Sequence, residues 1–229
     1  MLTKGLSDSL EYGGVIQTGK ETDQRMDKML YIDDNGLVKS NRITIKRFSK
    51  IERDPMDKVN GIIVHQTGTP AETHVFNSYS HAGSNGAHFL IDKEGVIYQT
   101  ASLFKTTWHL GKMKSRCVIT KKCEPSELKK MADLENKFRT KAISDIEKAK
   151  SFPDRYPSNT DSIGIEIVGY YERDSDNNDI YDAVNSKQNA SLKWLISELL
   201  ETLDISISEV YKHPDVARKN TTEASTASW

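Results

Sequence analysis

Apolar residues along the chain are concentrated in short runs that predict buried β-strands. Residues 62–64 are β-branched, follow a glycine and lead into His65 and a turn-forming segment, residues 67–70. A continuous apolar run bounded by turn residues is typical of a strand covered on both faces. Residues 162–169 form a second run, and residues 210–212 form a shorter one that also ends at a histidine. The pattern therefore predicts three buried strands, two of which deliver histidines.

Other patterns predict the elements around these strands. Residues 43–48 alternate between apolar and polar, as in a half-buried edge strand. Residues 86–100 contain two strand-like runs around an Asp-Lys-Glu-Gly turn, which indicates a hairpin. Residues 71–79 predict a short helix that opens after a proline. Residues 186–203 carry leucine and isoleucine at helical spacing and predict a long amphipathic helix that packs on the core.

Composition divides the chain into parts. Residues 1–42 are polar with scattered glycines, which predicts an N-terminal extension that is loosely ordered or wraps the surface. Residues 43–229 are long enough for one domain with a sizeable core. Within this domain, residues 112–159 are strongly charged and indicate an insertion with a helix that begins near Ser126. A sparse apolar stripe predicts how this helix contacts the core: Leu128, Met131, Leu134 and Phe138.

Charge and hydropathy argue against several classes of partner. A net charge of -1 and a pI of about 6.6 give no basic excess for nucleic acid or an anionic membrane. No stretch approaches the roughly 20 apolar residues of a membrane span, and the first residues lack the apolar segment of a Sec signal. Cys117 and Cys123 are too few for a disulfide scaffold, and they either close a small loop after export or stay reduced.

The candidate chemistry lies on the predicted core strands. His65 and His213 each follow an apolar run, and Glu166 interrupts another. A buried carboxylate is costly, so Glu166 should be paired with a cation, protonated or close to a metal. After Asp215, the remaining carboxylate side chain is Glu223. Two imidazoles and one carboxylate, with a fourth position for water, form the ligand set of a catalytic zinc site.

Three other polar features are expected in the core, in a loop and beside a groove. His88 enters the predicted hairpin and is expected to be a hydrogen-bonded core histidine. Residues 174–179 are rich in Asp and Asn but lack the spacing and distal Glu of an EF-hand, which favours a solvated loop. Trp108 and His109 place an aromatic ring beside an imidazole at the end of a loop. That pair could line a groove.

In their order, these motifs resemble the zinc-dependent N-acetylmuramoyl-L-alanine amidases, which include phage lysozyme-like amidases, bacterial recycling amidases and peptidoglycan recognition proteins. The resemblance runs from about residue 59 to 229 and is carried by residues 63–68, 87–99, 108–111, 162–169 and 213–217, the amphipathic helix and Trp229. It implies an α/β fold of the amidase and peptidoglycan recognition protein type. In that fold a central mixed β-sheet is flanked by helices, here with a helical insertion.

The resemblance also implies a metal site. His65 and His213 would be ligands of Zn²⁺, and Glu223 would be the third ligand at the place where the family has Asp or Cys. The family often has a lysine two residues before this third ligand. Thr221 occupies that place here, and Lys219 is the nearest candidate for its role.

The remaining implied roles concern catalysis and substrate. Ala87 replaces a tyrosine that some members carry before the hairpin histidine, which leaves Glu166 as the general base. Zinc would lower the pKa of its water towards about 7, and Glu166 would take the proton of this water and pass it to the leaving amine. Lys219 or His109 would stabilise the oxyanion. Trp108 and His109 would contact the sugar or the stem peptide.

The expected function is hydrolysis of peptidoglycan at the amide between N-acetylmuramic acid and L-alanine of the stem peptide. The alternatives are a non-catalytic peptidoglycan-binding module and a zinc peptidase that cuts within the stem peptide. The substrate would be peptidoglycan or a muropeptide. A chain made in the cytoplasm without a Sec signal would act in the periplasm or cell wall after non-classical export or lysis, as a recycling enzyme, a lysin or an antibacterial effector. An effector would imply a cognate immunity protein.

Overall fold

A computed structural model describes residues 30–229. Its strands are β1 (Tyr31–Ile32), β2 (Val38–Lys39), β3 (Ile43–Ile45), β4 (Glu52–Pro55), β5 (Gly61–Gln66), β6 (Phe89–Ile91), β7 (Ile97–Gln99), β8 (Lys105–Thr107), β9 (Ser162–Ile167), β10 (Tyr171–Arg173), β11 (Asp179–Tyr181) and β12 (Val210–Lys212). Its α-helices are α1 (Glu72–Tyr79), α2 (Arg116–Ile119), α3 (Pro125–Asn136), α4 (Thr140–Lys148), α5 (Ser186–Leu203) and α6 (His213–Val216).

A six-stranded mixed sheet forms the centre, with the strand order β12-β5-β9-β6-β7-β3. The strands β12, β5, β9 and β6 run parallel, β7 is antiparallel to β6, and β3 pairs parallel with β7 at the edge. The predicted mixed sheet, the hairpin of β6 and β7 and the edge position of β3 are therefore confirmed. Two-stranded pairs lie outside this sheet and join β1 with β2, β4 with β8, and β10 with β11.

Alternation along the central strands assigns their side chains to two faces. On one face, Ile62 and Val64 of β5 and Ile163 and Ile165 of β9 are fully buried in one cluster with the leucines of α5. Ile63 belongs to a separate cluster, and His65, two residues further along β5, shares its face. The site residues of β5 and β9 therefore project from the side of the sheet opposite α5.

The long helix α5 has the bounds that its sequence predicts. Asn185 caps its first turn by accepting a hydrogen bond from the Gln188 amide, and the Gln188 side chain accepts one from the Asn185 amide in return. Leu192, Leu195 and Leu199 are fully buried against the sheet cluster. The apolar stripe is therefore core packing, as expected.

The insertion holds α2, α3 and α4, and here one expectation is wrong. Within the predicted apolar stripe, Met131 is buried, but Leu128 is 48% exposed and Phe138 is 87% exposed. Phe138 follows the end of α3 at a φ of 53°, so the chain has already turned away from the helix axis. A helix with so few apolar positions buries one of these side chains, Met131, and leaves its other faces exposed to solvent. A disulfide joins Cys117 to Cys123, which matches the first of the two cysteine alternatives.

Part of the predicted N-terminal extension packs on the domain. Residues 30–42 contain the hairpin of β1 and β2, and Val38 is buried in the main core cluster. The buried amide of Gln99 fixes this hairpin, because it accepts a hydrogen bond from the Val38 N–H and donates one to the Gly36 carbonyl. Residues 1–29 lie outside the described residues. Among residues 30–229, no helix is long and apolar enough to cross a membrane.

Candidate active site

Adjacent parallel strands bring the two candidate histidines together. Lys212 pairs with Val64 across β12 and β5, so the residues that follow this pair, His65 in β5 and His213 at the start of α6, are also neighbours. Both side chains are 2% exposed, and their Nδ1 atoms lie 2.8 Å apart. The contact joins residues separated by 148 positions in the sequence. The two histidines that the sequence places after apolar runs are therefore in contact.

Glu223 reaches the same point from a turn that follows α6. Its Oε1 lies 2.8 Å from Nδ1 of His213 and 3.7 Å from Nδ1 of His65. The turn is fixed on both sides of Glu223, because the Glu223 N–H donates to the Asn220 carbonyl and the Ala224 N–H donates to Oε1 of Gln66. Gln66 ends β5, so the strand that carries His65 also positions the carboxylate.

These three donor atoms have the chemistry and spacing of a metal site. The ligand atoms of His65, His213 and Glu223 lie within 4.8 Å of one another and are buried. Around tetrahedral zinc with bonds of about 2.0–2.1 Å, neighbouring ligand atoms are about 3.3 Å apart. The observed separations bracket that value. The residues present therefore fit a zinc ion, including the glutamate where the family has Asp or Cys.

Burial and mutual contact shift the titration of this cluster. Burial, and then the neighbouring His213, lower the pKa of His65 to about 4, so its imidazole is neutral at pH 7. Burial alone would raise the pKa of Glu223, but its interactions with the imidazoles of His213 and His65 outweigh burial and lower the pKa to about 2. A neutral imidazole and an ionised carboxylate are the protonation states that bind a metal.

Glu166 faces the same space from β9. It pairs with His65 in the β5 and β9 register and is partly buried. Its Oε2 is buried without a hydrogen-bond partner among residues 30–229. Burial, and then the negative charge of Glu223, raise the pKa of Glu166 to about 8, while Lys219 acts in the opposite direction. No salt bridge therefore explains this carboxylate within the described part of the chain, and its environment favours the protonated form in the metal-free protein.

A cavity of about 720 Å³ connects all seven site residues that the sequence indicated. It is lined by the three candidate ligands and Glu166, together with Trp108, His109 and Lys219. Trp108 is 51% exposed, with the Arg53 guanidinium 4.7 Å from its ring centroid. The Lys219 ammonium has no hydrogen bond or ion pair within residues 30–229 and remains available to a ligand.

The two other imidazoles of the region, the buried His88 and the partly buried His109, have different surroundings. His88 is fully buried, its Nε2 is 2.9 Å from the Lys105 carbonyl, and its Nδ1 accepts a hydrogen bond from the Gly164 N–H. The prediction of a hydrogen-bonded core histidine is therefore confirmed. His109 has Nδ1 at 2.9 Å from Nε2 of His65 and Nε2 at 3.2 Å from Oγ of Ser162. Both of its ring nitrogens thus have protein partners.

Sequence reasoning missed several residues that support or line the site. Asn159, Ser162 and Gly164 contact His109, and Tyr79 and Tyr181 line the cavity. Small polar residues near a strand are common, so their types gave no signal. The one available hint was the pair of small residues, Ser162 and Gly164, two apart in an otherwise β-branched strand. Small side chains on one face leave room for another group.

The family model of N-acetylmuramoyl-L-alanine amidases matches residues 55–225, well over half of the chain. No curated protein matches the sequence.

Similar solved structures include N-acetylmuramoyl-L-alanine amidase LysC from Clostridium intestinale URNW, with 16% identity, a TM-score of 0.44, and 79% of this chain and 87% of that chain covered. A selenomethionine derivative of AmpD has 16% identity and a TM-score of 0.48, with 82% of this chain and 89% of that chain covered. AmpDh3 from Pseudomonas aeruginosa, in complex with anhydromuramic pentapeptide, has 21% identity and a TM-score of 0.47, with 83% of this chain and 60% of that chain covered. From the match of the family model, the chain belongs to the N-acetylmuramoyl-L-alanine amidase family.

Proposed function

We propose that this amidase uses a zinc ion held by His65, His213 and Glu223 to hydrolyse the amide between N-acetylmuramic acid and L-alanine of peptidoglycan. The observation that carries the proposal is the convergence of three buried donor atoms beside Glu166, whose buried Oε2 has no hydrogen-bond partner among residues 30–229. Zinc bound there would supply Lewis acidity, which polarises a carbonyl and lowers the pKa of water.

Glu166 is the proposed general base. Its unpartnered Oε2 can accept a proton from the attacking water and then deliver it to the nitrogen of the leaving L-alanine. The carbon–nitrogen bond breaks, and the products are a lactyl carboxylate and a free α-amine. Glu166 must be ionised to start this cycle, and positive charge in the cavity, such as that of Lys219, favours the ionised form.

Lys219 is the proposed oxyanion-stabilising group. A side chain that lines the cavity and has no acidic partner in the described part of the chain can place its charge next to the developing negative oxygen of the tetrahedral intermediate. Trp108 supplies exposed aromatic area at the rim for the sugar or the stem peptide. A substrate contact of His109 stays a prediction, and its two occupied nitrogens leave Lys219 as the better oxyanion donor.

The biological setting rests on the sequence. Roles as a lysin or a recycling enzyme are consistent with the family. An antibacterial effector role, an immunity protein and action in the periplasm or cell wall after non-classical export or lysis stay predictions, as does the domain boundary near residue 43.

The test combines metal analysis with product analysis on the full chain. We expect about one zinc per chain by elemental mass spectrometry. We also expect mass spectrometry of digested muropeptides to show free stem peptide, with release abolished by a chelator and restored by zinc. The matched variants are Glu223→Ala, which should lose zinc, and Glu166→Gln, which should keep zinc and lose hydrolysis.

Other outcomes would contradict the proposal. Products cleaved within the stem peptide would identify a zinc peptidase. Intact muropeptides that bind to a zinc-free protein would identify a non-catalytic binding module and show that Glu223 does not complete the ligand set.

A further inference from the structure

A chain of hydrogen bonds runs from a backbone carbonyl to the candidate metal ligand His65. The Ser158 carbonyl can only accept, so the Ser162 hydroxyl, 2.6 Å away, donates its one hydrogen to it. The Ser162 oxygen then faces Nε2 of His109 at 3.2 Å as an acceptor. The proton of His109 therefore lies on Nε2.

The remaining nitrogen of His109 fixes the next ring. A second proton on His109 would create a buried charge with no carboxylate within hydrogen-bond distance among residues 30–229, which is costly. His109 Nδ1 is thus a lone pair, and it accepts from Nε2–H of His65 at 2.9 Å. The lone pair of His65 is then on Nδ1, the atom that lies 2.8 Å from His213 and 3.7 Å from Glu223.

The local structure holds the His109 ring in this position. Oδ1 of Asn159 accepts hydrogen bonds from the N–H groups of His109 and Leu110, at 3.1 and 2.7 Å, and its amide donates to the Leu110 carbonyl. Gly164 provides the space for the ring, since a Cβ at this position would lie 2.8 Å from Cγ of His109. The imidazole of His109 is therefore held in place by three residues: Asn159, Ser162 and Gly164.

We propose that His109 is a positioning residue that fixes the tautomer of His65, so that Nδ1 of His65 is presented to the metal. The proposal rests on the metal site of the proposed function. Groups next to metal ligands commonly set ring orientation and tautomer, and their loss weakens metal binding by about 10- to 100-fold. The proposal also explains why a glycine, Gly164, occurs in a strand rich in β-branched residues: it leaves space for the His109 ring.

The first test measures zinc affinity by competition with a chromophoric chelator. The variant His109→Phe keeps a planar ring without nitrogens, and we expect its Kd for zinc to rise by about 10- to 100-fold. In His109→Gln the amide oxygen can accept from Nε2–H of His65 and should restore part of the affinity. The matched control is His74→Ala, which removes an exposed histidine that lines the same cavity without contacting a ligand residue, and its Kd should equal that of the wild type.

The second test reads the tautomer directly, by nitrogen-15 NMR of labelled histidines in the metal-free protein. We expect the His65 proton on Nε2 in the wild type and a mixture of tautomers in His109→Phe. A wild-type proton on Nδ1, or a His109→Phe affinity within about twofold of the wild type, would overturn the proposal. If the wild type binds no zinc, the proposed function fails, while the NMR result still decides whether His109 sets the tautomer.

Discussion

Replacing Glu166 by glutamine should stabilise the metal-free protein, and the gain should grow with pH. The folded protein raises the pKa of Glu166 from 4.5 to about 8. Between these values the folded state keeps a proton that the unfolded chain has released, so the wild type loses stability as pH rises. The proton on Glu166 contributes fully to the stability of the wild type below pH 4.5. This contribution is lost as the pH rises, and the loss levels off above pH 8. Glutamine has no such dependence.

The magnitude follows from the part of this range that the experiment covers. From pH 6.5 to 8, a proton held only by the folded state costs the wild type at most about 2 kcal/mol. The carboxyl group borders an open cavity, where solvent screening reduces the effect. We therefore expect the advantage of Glu166→Gln to increase by about 1 kcal/mol between pH 6.5 and 9. His65 and His88 are neutral in the folded state throughout this range, and their protonation in the unfolded chain is the same in both proteins and cancels in the comparison.

The assay is urea unfolding of the wild type and Glu166→Gln, with a chelator present, at pH 6.5 and 9. The control is Glu94→Gln. The hydrogen bond and charge of Lys187 lower the pKa of Glu94, so its carboxylate stays ionised across the range and the effect of its substitution should not change with pH. A stability difference between Glu166→Gln and the wild type that is the same at both pH values would refute the assignment of a protonated, buried Glu166.

Three further predictions test other parts of the molecule. Lys219→Met should lower kcat on muropeptides by about 100-fold with an unchanged Kd for zinc, and near-normal turnover would exclude Lys219 as the oxyanion group. Replacing Cys117 and Cys123 by serine should lower the free energy of unfolding by about 2 kcal/mol, because the disulfide closes a short loop; the control is a reducing agent, which should destabilise only the wild type. Leu195→Ala should cost about 2–5 kcal/mol in urea unfolding because the side chain is fully buried, and a cost below about 1 kcal/mol would argue against the described packing of α5.

Local pattern predicted the elements with strong periodicity. The bounds of α5 follow from the spacing of its leucines and isoleucines, and the strand that carries His65 follows from a β-branched run between turn residues. Periodicity does not specify which strands become neighbours, so the order of the sheet came only with the structure. In the insertion, by contrast, the pattern predicted burial that the structure does not show. The spacing of Leu128 and Phe138 suggested burial, but a charged helix with few apolar residues offers too little area to hold both against the core.

The reacting residues were easier to find than those that hold them. His65, His213 and Glu166 stand out because polar side chains are unexpected in apolar strands. Glu223 became a candidate only as the last carboxylate and through the family resemblance, because a turn residue has no periodic signal. The residues that hold the His109 ring lie in β9 or just before it, whereas His109 lies on a loop 50 residues before Asn159. The register of β9 and the path of that loop bring them together, as the contact between Asn159 and His109 shows. Such pairings exist only in three dimensions.

The position of β12 at the edge of the sheet determines when the site can form. His65 and His213 are 148 residues apart, and the carboxylate of Glu223 comes ten residues later still. Contacts of such long range form late, because closing a large loop costs entropy before the contact stabilises the chain. A chain in which β12 had not yet paired with β5 would have His65 and Glu166 in the sheet but His213 and Glu223 unplaced. Under the proposed function, metal binding would therefore require the completed sheet, and a partly folded chain would have no hydrolytic activity.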